Sequence, residues 1–206
     1  MKKEKLADWI ANAVSHGVGV LLAIMALVVL LIRAQSTIEY FGVTVFGISM
    51  ITLYLSSTLY HALPSHKPRL NRVFKTFDHI AIFLLIAGTY TPFILILNPD
   101  QSGYIFLAML WVIALIGIVM KAIWLRRFKG IHLVLYLLMG WSIVLIWPDV
   151  NQLINPTSRT LLFVGGLAYT SGVIFYLMRF KLSHFIWHLF VLTGTILHGI
   201  SIYHIL

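Results

Sequence analysis

The chain has no cysteine. Disulfides and thiolate ligands are therefore excluded, and any metal centre must be built from histidine, carboxylate and water. Charge is also scarce: 10% of residues are Asp, Glu, Lys or Arg and only 6 of 206 are acidic, against about 25% charged in soluble domains. Linkers, low-complexity tracts and internal repeats are missing as well, so residues 1–206 read as one domain. What fills the chain is hydrocarbon, with 60% hydrophobic residues and a mean hydropathy of +0.95. This composition belongs to an integral membrane protein.

A helix needs about 20 apolar residues to cross roughly 30 Å of hydrocarbon, so the length allows about seven spans and no separate soluble domain. Pro, Asn, Asp and basic clusters divide the apolar runs into spans near 9–32, 40–63, 78–97, 103–125, 131–148, 159–179 and 184–205. The separators are short, which makes sequential spans antiparallel. The expected fold is an all-α bundle of seven transmembrane helices. Met1 to Lys5 followed by an apolar run looks like a secretory signal. The run continues past Leu30 without a small-residue cleavage pattern, so it is expected to be a retained first span.

Basic residues set the expected orientation. Lys2, Lys3, Lys5, Lys67, Arg69, Arg72, Lys75, Lys121, Arg126, Arg127, Lys129, Arg179 and Lys181 fall on one side, and only Arg33 and Arg159 on the other. By the positive-inside rule the N-terminus is cytoplasmic and the C-terminus external, in the cell membrane. The net charge of +9 is spread over short loops with no soluble module to present it. Anionic membrane lipids are the expected partners, and nucleic acid is not.

Against this apolar background a few polar residues stand out. Ser57 and His61 are four apart near the end of the second span, as are His184 and His188 at the start of the last, and Asp78 opens the third. Residues four apart share a helix face. Alternating topology brings all five to one depth near the cytoplasm. Buried polar groups without partners cost several kcal/mol each in hydrocarbon, and a shared metal ion satisfies them economically. The alternative is that they hydrogen-bond one another between helices. Three neutral imidazoles, His61, His184 and His188, with a fourth position open describe a catalytic zinc arrangement; iron, cobalt or manganese also accept such a set. Two places are open to Asp78: it ligates the ion directly, or it holds water and acts as general base. Ser57 is a poor zinc ligand and reads as a residue that orients the water.

These residues resemble the progestin and adiponectin receptor superfamily, in its bacterial hemolysin III-like branch. The resemblance rests on Ser56-Ser57-Thr58-Leu59-Tyr60-His61, Phe77-Asp78-His79, Gly88-Thr89-Tyr90-Thr91-Pro92, the His184/His188 pair and the N-terminal Asn12-x-x-x-His16-Gly17. Four residues before that Asn the superfamily commonly has Glu, where this chain has Asp8. The resemblance implies seven spans and a zinc ion held by His61, His184 and His188, with Asp78 and Ser57 reaching it through water. It also implies a link to membrane-lipid homeostasis. The leading expectation is hydrolysis of a lipid amide or ester at the cytoplasmic leaflet, with Asp78 and Ser57 as catalytic residues. A non-enzymatic membrane sensor with structural zinc and a pore-forming haemolysin are the alternatives.

His198 lies about 15 Å along the helix from His188 and is expected to make a helix–helix hydrogen bond. His16 and Asn12 form a polar stripe towards the bundle interior. His79 is expected to point away from Asp78, and His66, His132 and His204 to sit wet at span ends. Gly165, Gly166, Gly172, Gly194 and Gly199 read as close-packing positions. Trp9, Tyr40, Trp124, Trp147 and Tyr203 read as interfacial aromatics. Pro92 is expected to kink the third span and Pro148 to end the fifth.

Overall fold

The computed structural model describes residues 3–63, 67–124 and 127–206; Lys2, His66 and Arg126, used in the reading above, lie outside them. The helices are α1 Lys3–Arg33, α2 Thr37–Ala62, α3 Pro68–Leu97, α4 Gln101–Ile123, α5 Lys129–Gly140, α6 Trp147–Leu153, α7 Pro156–Leu177 and α8 Ser183–Ile205. A 3-10 turn, Ser142–Ile146, joins α5 to α6, so Gly130–Leu153 crosses as one broken span and the described residues contain seven apolar segments of spanning length. The all-α seven-span expectation holds.

Local chemistry explains where the helices begin. Ser36 caps α2 with a reciprocal box: Glu39 N–H donates to Ser36 Oγ, and Glu39 Oε2 accepts from the backbone of Ser36 and Gln35. Asp100 caps α4 by accepting from Gly103 N–H at 2.8 Å. That bond, with help from Ser102, holds the exposed Asp100 carboxyl below its ordinary range. Asn155 caps α7 by accepting from Ser158 N–H, with Pro156 in the first turn, where its missing N–H costs nothing.

The third helix is the centre of the bundle. Its most apolar stretch is 72% buried, against 17–44% for the other spans. It packs on α2, α4, α5 and α8, while α1 lies between α2 and α8, and α7 lies against α8. Gly42 makes the α2–α3 approach possible, because a Cβ there would stand 3.0 Å from Pro92 Cα. Outward-facing residues such as Ile32, Leu21 and Leu138 are exposed and apolar, as lipid contact requires.

Two boundaries differ from expectation. The third helix starts at Pro68, ten residues before Asp78. Arg69, Arg72 and Lys75 limit the hydrocarbon-buried part of a helix without ending the helix, and Pro68 pre-sets its first turn. Pro148 does not end the fifth span but opens α6. The break lies earlier, between Gly140 and Trp147, and Tyr90 from α3 serves it. Its hydroxyl donates to the Gly140 carbonyl at 2.8 Å and accepts from Ile143 N–H at 2.9 Å. Backbone groups freed inside a membrane must find such partners. Pro92 lies inside α3, which continues to Leu97.

Candidate metal centre

The chain folds so that the end of α2 and the start of α8 meet, with α3 alongside. His61 is the last residue but one of α2, His184 and His188 lie in the first two turns of α8, and Asp78 is the eleventh residue of α3. His61, His184 and His188 each turn one ring nitrogen to a common point, with the three ligand atoms within 4.8 Å of one another. The ring centroids are 5.1 Å (His61–His184), 5.2 Å (His61–His188) and 4.6 Å (His184–His188) apart. All three Nε2 atoms are buried without a hydrogen-bond partner. Three orphaned imidazole nitrogens aimed at one point fit a divalent cation that prefers nitrogen donors, zinc foremost.

The tautomer of His188 follows from its neighbours. Ser15 Oγ donates its one proton to the Asn12 carbonyl at 3.0 Å, so the 3.1 Å contact with His188 Nδ1 must be an N–H donating to Ser15. The lone pair of His188 is thereby placed on Nε2, the nitrogen facing the other two histidines. His16 stacks on the same ring with centroids 3.5 Å apart and planes 16° from parallel, and meets the edge of Tyr54 on another side. The polar stripe of α1 thus faces inward, and its task is to hold a ring of α8.

Asp78 is buried, and its carboxylate contributes no atom to the histidine group. Ser57 Oγ, also buried, neighbours that carboxylate without an aligned hydrogen bond. His79 corrects the reading from helix geometry: its Nδ1 lies 3.2 Å from Asp78 Oδ2. Adjacent Cβ atoms diverge by about 100°, yet the His79 ring folds back towards the neighbouring carboxylate.

His132 is a second correction. It is buried rather than wet, with Nδ1 2.7 Å from the Phe128 carbonyl and Phe83 at its edge, because α5 packs its first turns inward on α3. His198 behaves as expected, with Nε2 3.0 Å from the Leu162 carbonyl of α7, and Gly165 leaves room for its ring. His204 is exposed. Ser15 is a positioning residue that escaped sequence reasoning. Asp8, noted in the sequence only for standing where the superfamily commonly has Glu, also positions α8, since its Oδ1 accepts from Leu182 N–H at 3.2 Å just before α8 begins. The Asp8, Asn12, Ser15, His16 spacing, a stripe of period three to four, was the signal for both.

His61 and His184 line a cavity of about 1320 Å³ that runs among α1, α2, α3, α4, α5, α7 and α8. Its near end holds Asp78 and Arg72, and its far end reaches Tyr90, Trp141 and His198. Leu53, Leu85, Leu137 and Val191 line its length, so much of the wall is hydrocarbon. Fold and site together define a multi-pass integral membrane protein with a histidine cluster able to hold a metal.

Comparison with known proteins narrows this class. Residues 7–199 match the family described as Haemolysin-III related, and the chain belongs to that family. It is 42% identical over 190 residues to Hemolysin-3 of Bacillus cereus, covering 90% of this chain and 86% of the relative. It is 43% identical to the Hemolysin-3 homolog of Bacillus subtilis (strain 168) over 194 residues, with 92% and 90% covered. The human monocyte to macrophage differentiation factor is 29% identical over 201 residues, covering 94% of this chain and 82% of that one.

Proposed function

We propose that this protein is a zinc-dependent hydrolase of a lipid amide or ester, acting at the cytoplasmic leaflet of the cell membrane and serving membrane-lipid homeostasis. The observation that carries the reading is the set of three orphaned Nε2 atoms, two of whose residues, His61 and His184, line a largely apolar cavity. A structural zinc site is normally closed by four protein ligands. Among the described residues no fourth His, Asp or Glu joins this group, which favours an open, reactive position.

His61, His184 and His188 would hold the ion, which when bound acidifies water and polarises a carbonyl oxygen. Asp78, beside the trio and not in it, accepts the proton of the attacking water at its carboxylate and returns it to the leaving group. Ser57 Oγ has no aligned partner and is free to orient that water. The apolar walls seat the acyl chain and exclude bulk water from the reacting end. Substrate enters from the leaflet on the side of Arg72 and Lys75, whose charges suit anionic lipid surroundings.

The test pairs metal analysis with fatty-acid release from vesicles containing ceramides, lysolipids or diacyl lipids. The purified protein is expected to carry about one zinc per chain, and His184→Ala to lose it. Asp78→Asn is expected to keep the metal and lose turnover by about 10²–10⁴-fold, the usual worth of a general base. Release by Asp78→Asn at the parent rate, or no release by the parent on any of these lipids, overturns the hydrolase reading.

A further inference from the structure

At the far end of the cavity one buried group is left half-used by both fold and hydrolysis. His184, Trp187, Val191 and His198 all line the cavity, and their spacing of three, four and seven residues sets them in one stripe along α8. His198 stands about 15 Å along that helix from His188 and about 21 Å from His184. It is 8% exposed, and its Nε2 lies 3.0 Å from the Leu162 carbonyl. A carbonyl only accepts, so Nε2 carries the hydrogen and the neutral ring keeps a lone pair on Nδ1. That atom is buried and has no partner. The Nε2 edge of the ring packs on Gly165 of α7, which turns the Nδ1 edge away from that helix.

The groups around His198 decide what can pair with this lone pair. Trp141 N–H donates to Thr170 Oγ1 at 2.9 Å, and the Thr170 and Thr89 hydroxyls donate to the carbonyls of Gly166 and Leu85. Tyr90 donates to Gly140. Thr195 spends its own hydrogen on the Val191 carbonyl, so the Tyr169 hydroxyl, 2.7 Å from Thr195 Oγ1, is the donor in that pair. All of these hydrogens are committed. A carbonyl, carboxylate or ether oxygen therefore finds no donor among them, and a ligand gains a bond to His198 only by bringing its own hydrogen. An ammonium group brings hydrogens with a charge, but the two acids that line the cavity stand at its other end, Asp8 on Leu182 N–H and Asp78 on His79. A neutral hydroxyl fits.

We propose that the cavity selects an acyl chain with a hydroxyl far from its head group: the head lies at the histidine trio and the hydroxyl donates to His198 Nδ1. Leu53, Leu85, Leu137 and Val191 seat the hydrocarbon between them. C–C bonds are about 1.5 Å long, so more than about ten carbons separate head and hydroxyl. The acyl chain rests on the hydrolase reading, whereas the hydroxyl site is tested without turnover, by binding of free acids. The test measures binding to the purified full-length protein of four fatty acids of equal chain length: unsubstituted, hydroxylated next to the carboxyl group, hydroxylated beyond about the tenth carbon, and the methyl ether of that last alcohol. The distal alcohol is expected to bind about tenfold tighter than the other three, the usual cost of leaving a buried acceptor unpaired. His198→Gln, whose amide N–H replaces the bond to Leu162 but which has no acceptor at the Nδ1 position, removes the preference. His198→Asn, whose oxygen takes the Nδ1 position, keeps most of it. His184→Ala lowers metal content and leaves the alcohol-to-ether ratio unchanged, so failure of the hydrolase reading, seen as no lipid cleavage by the parent, is distinct from failure of this site. Equal affinities in the parent, a comparison that needs no variant to fold, mean that water satisfies Nδ1 and overturn the proposal. So does a preference that persists in His198→Gln.

Discussion

Ser15 Oγ stands 3.1 Å from His188 Nδ1, joining α1 to α8 across 173 residues of chain and fixing which nitrogen of His188 carries the lone pair. A polar partner behind a metal-binding histidine is typically worth 10–100-fold in affinity. Ser15→Ala is therefore expected to weaken zinc binding by about that factor while leaving the helical fold intact, as a chelator competition would measure. Ser15→Thr, which keeps the hydroxyl, restores most of it. Unchanged affinity in Ser15→Ala would mean that His188 is held by the His16 stack alone.

Acid is expected to release the metal. Imidazole ligates a metal in its neutral form, so protons would compete with the ion, and occupancy is expected to be complete at neutral pH and to fall as pH drops below about 6. Metal content after dialysis across pH 5 to 8 checks the direction. A site that empties only on raising the pH is not a histidine site.

Tyr90 bridges both sides of the break in the fifth span. Tyr90→Phe strands the Gly140 carbonyl and the Ile143 N–H inside the membrane, at about 1–3 kcal/mol for a buried unsatisfied group. The variant is expected to unfold at lower denaturing-detergent fraction than the parent. A parent-like midpoint would show that water reaches the break.

The thirteen-to-two distribution of basic residues predicts that the end of the cavity near Arg72 and Asp78 faces the cytoplasm. Reporters fused after Lys181 are expected to read cytoplasmic, and those fused after Leu206 external. The reverse pattern would move the site to the outer leaflet.

The seven spans and the shared depth of Ser57, His61, Asp78, His184 and His188 were legible in the sequence alone. Hydropathy and helix period are local quantities, and in an antiparallel bundle with short loops chain position fixes depth. Helix extension was less legible: basic residues before Asp78 bound the membrane-buried part of α3 but do not stop its backbone hydrogen bonding. Rotation about each helix axis was decided only by tertiary packing, because side-chain rotamers and neighbouring helices set which polar groups meet. That is why His79 turns back to Asp78, why His132 is buried, and why Ser15 and Asp8 on α1 serve α8. The break between Gly140 and Trp147 likewise needed the third dimension, since it is the Tyr90 hydroxyl, 50 residues away in the chain, that makes an interrupted helix tolerable in hydrocarbon.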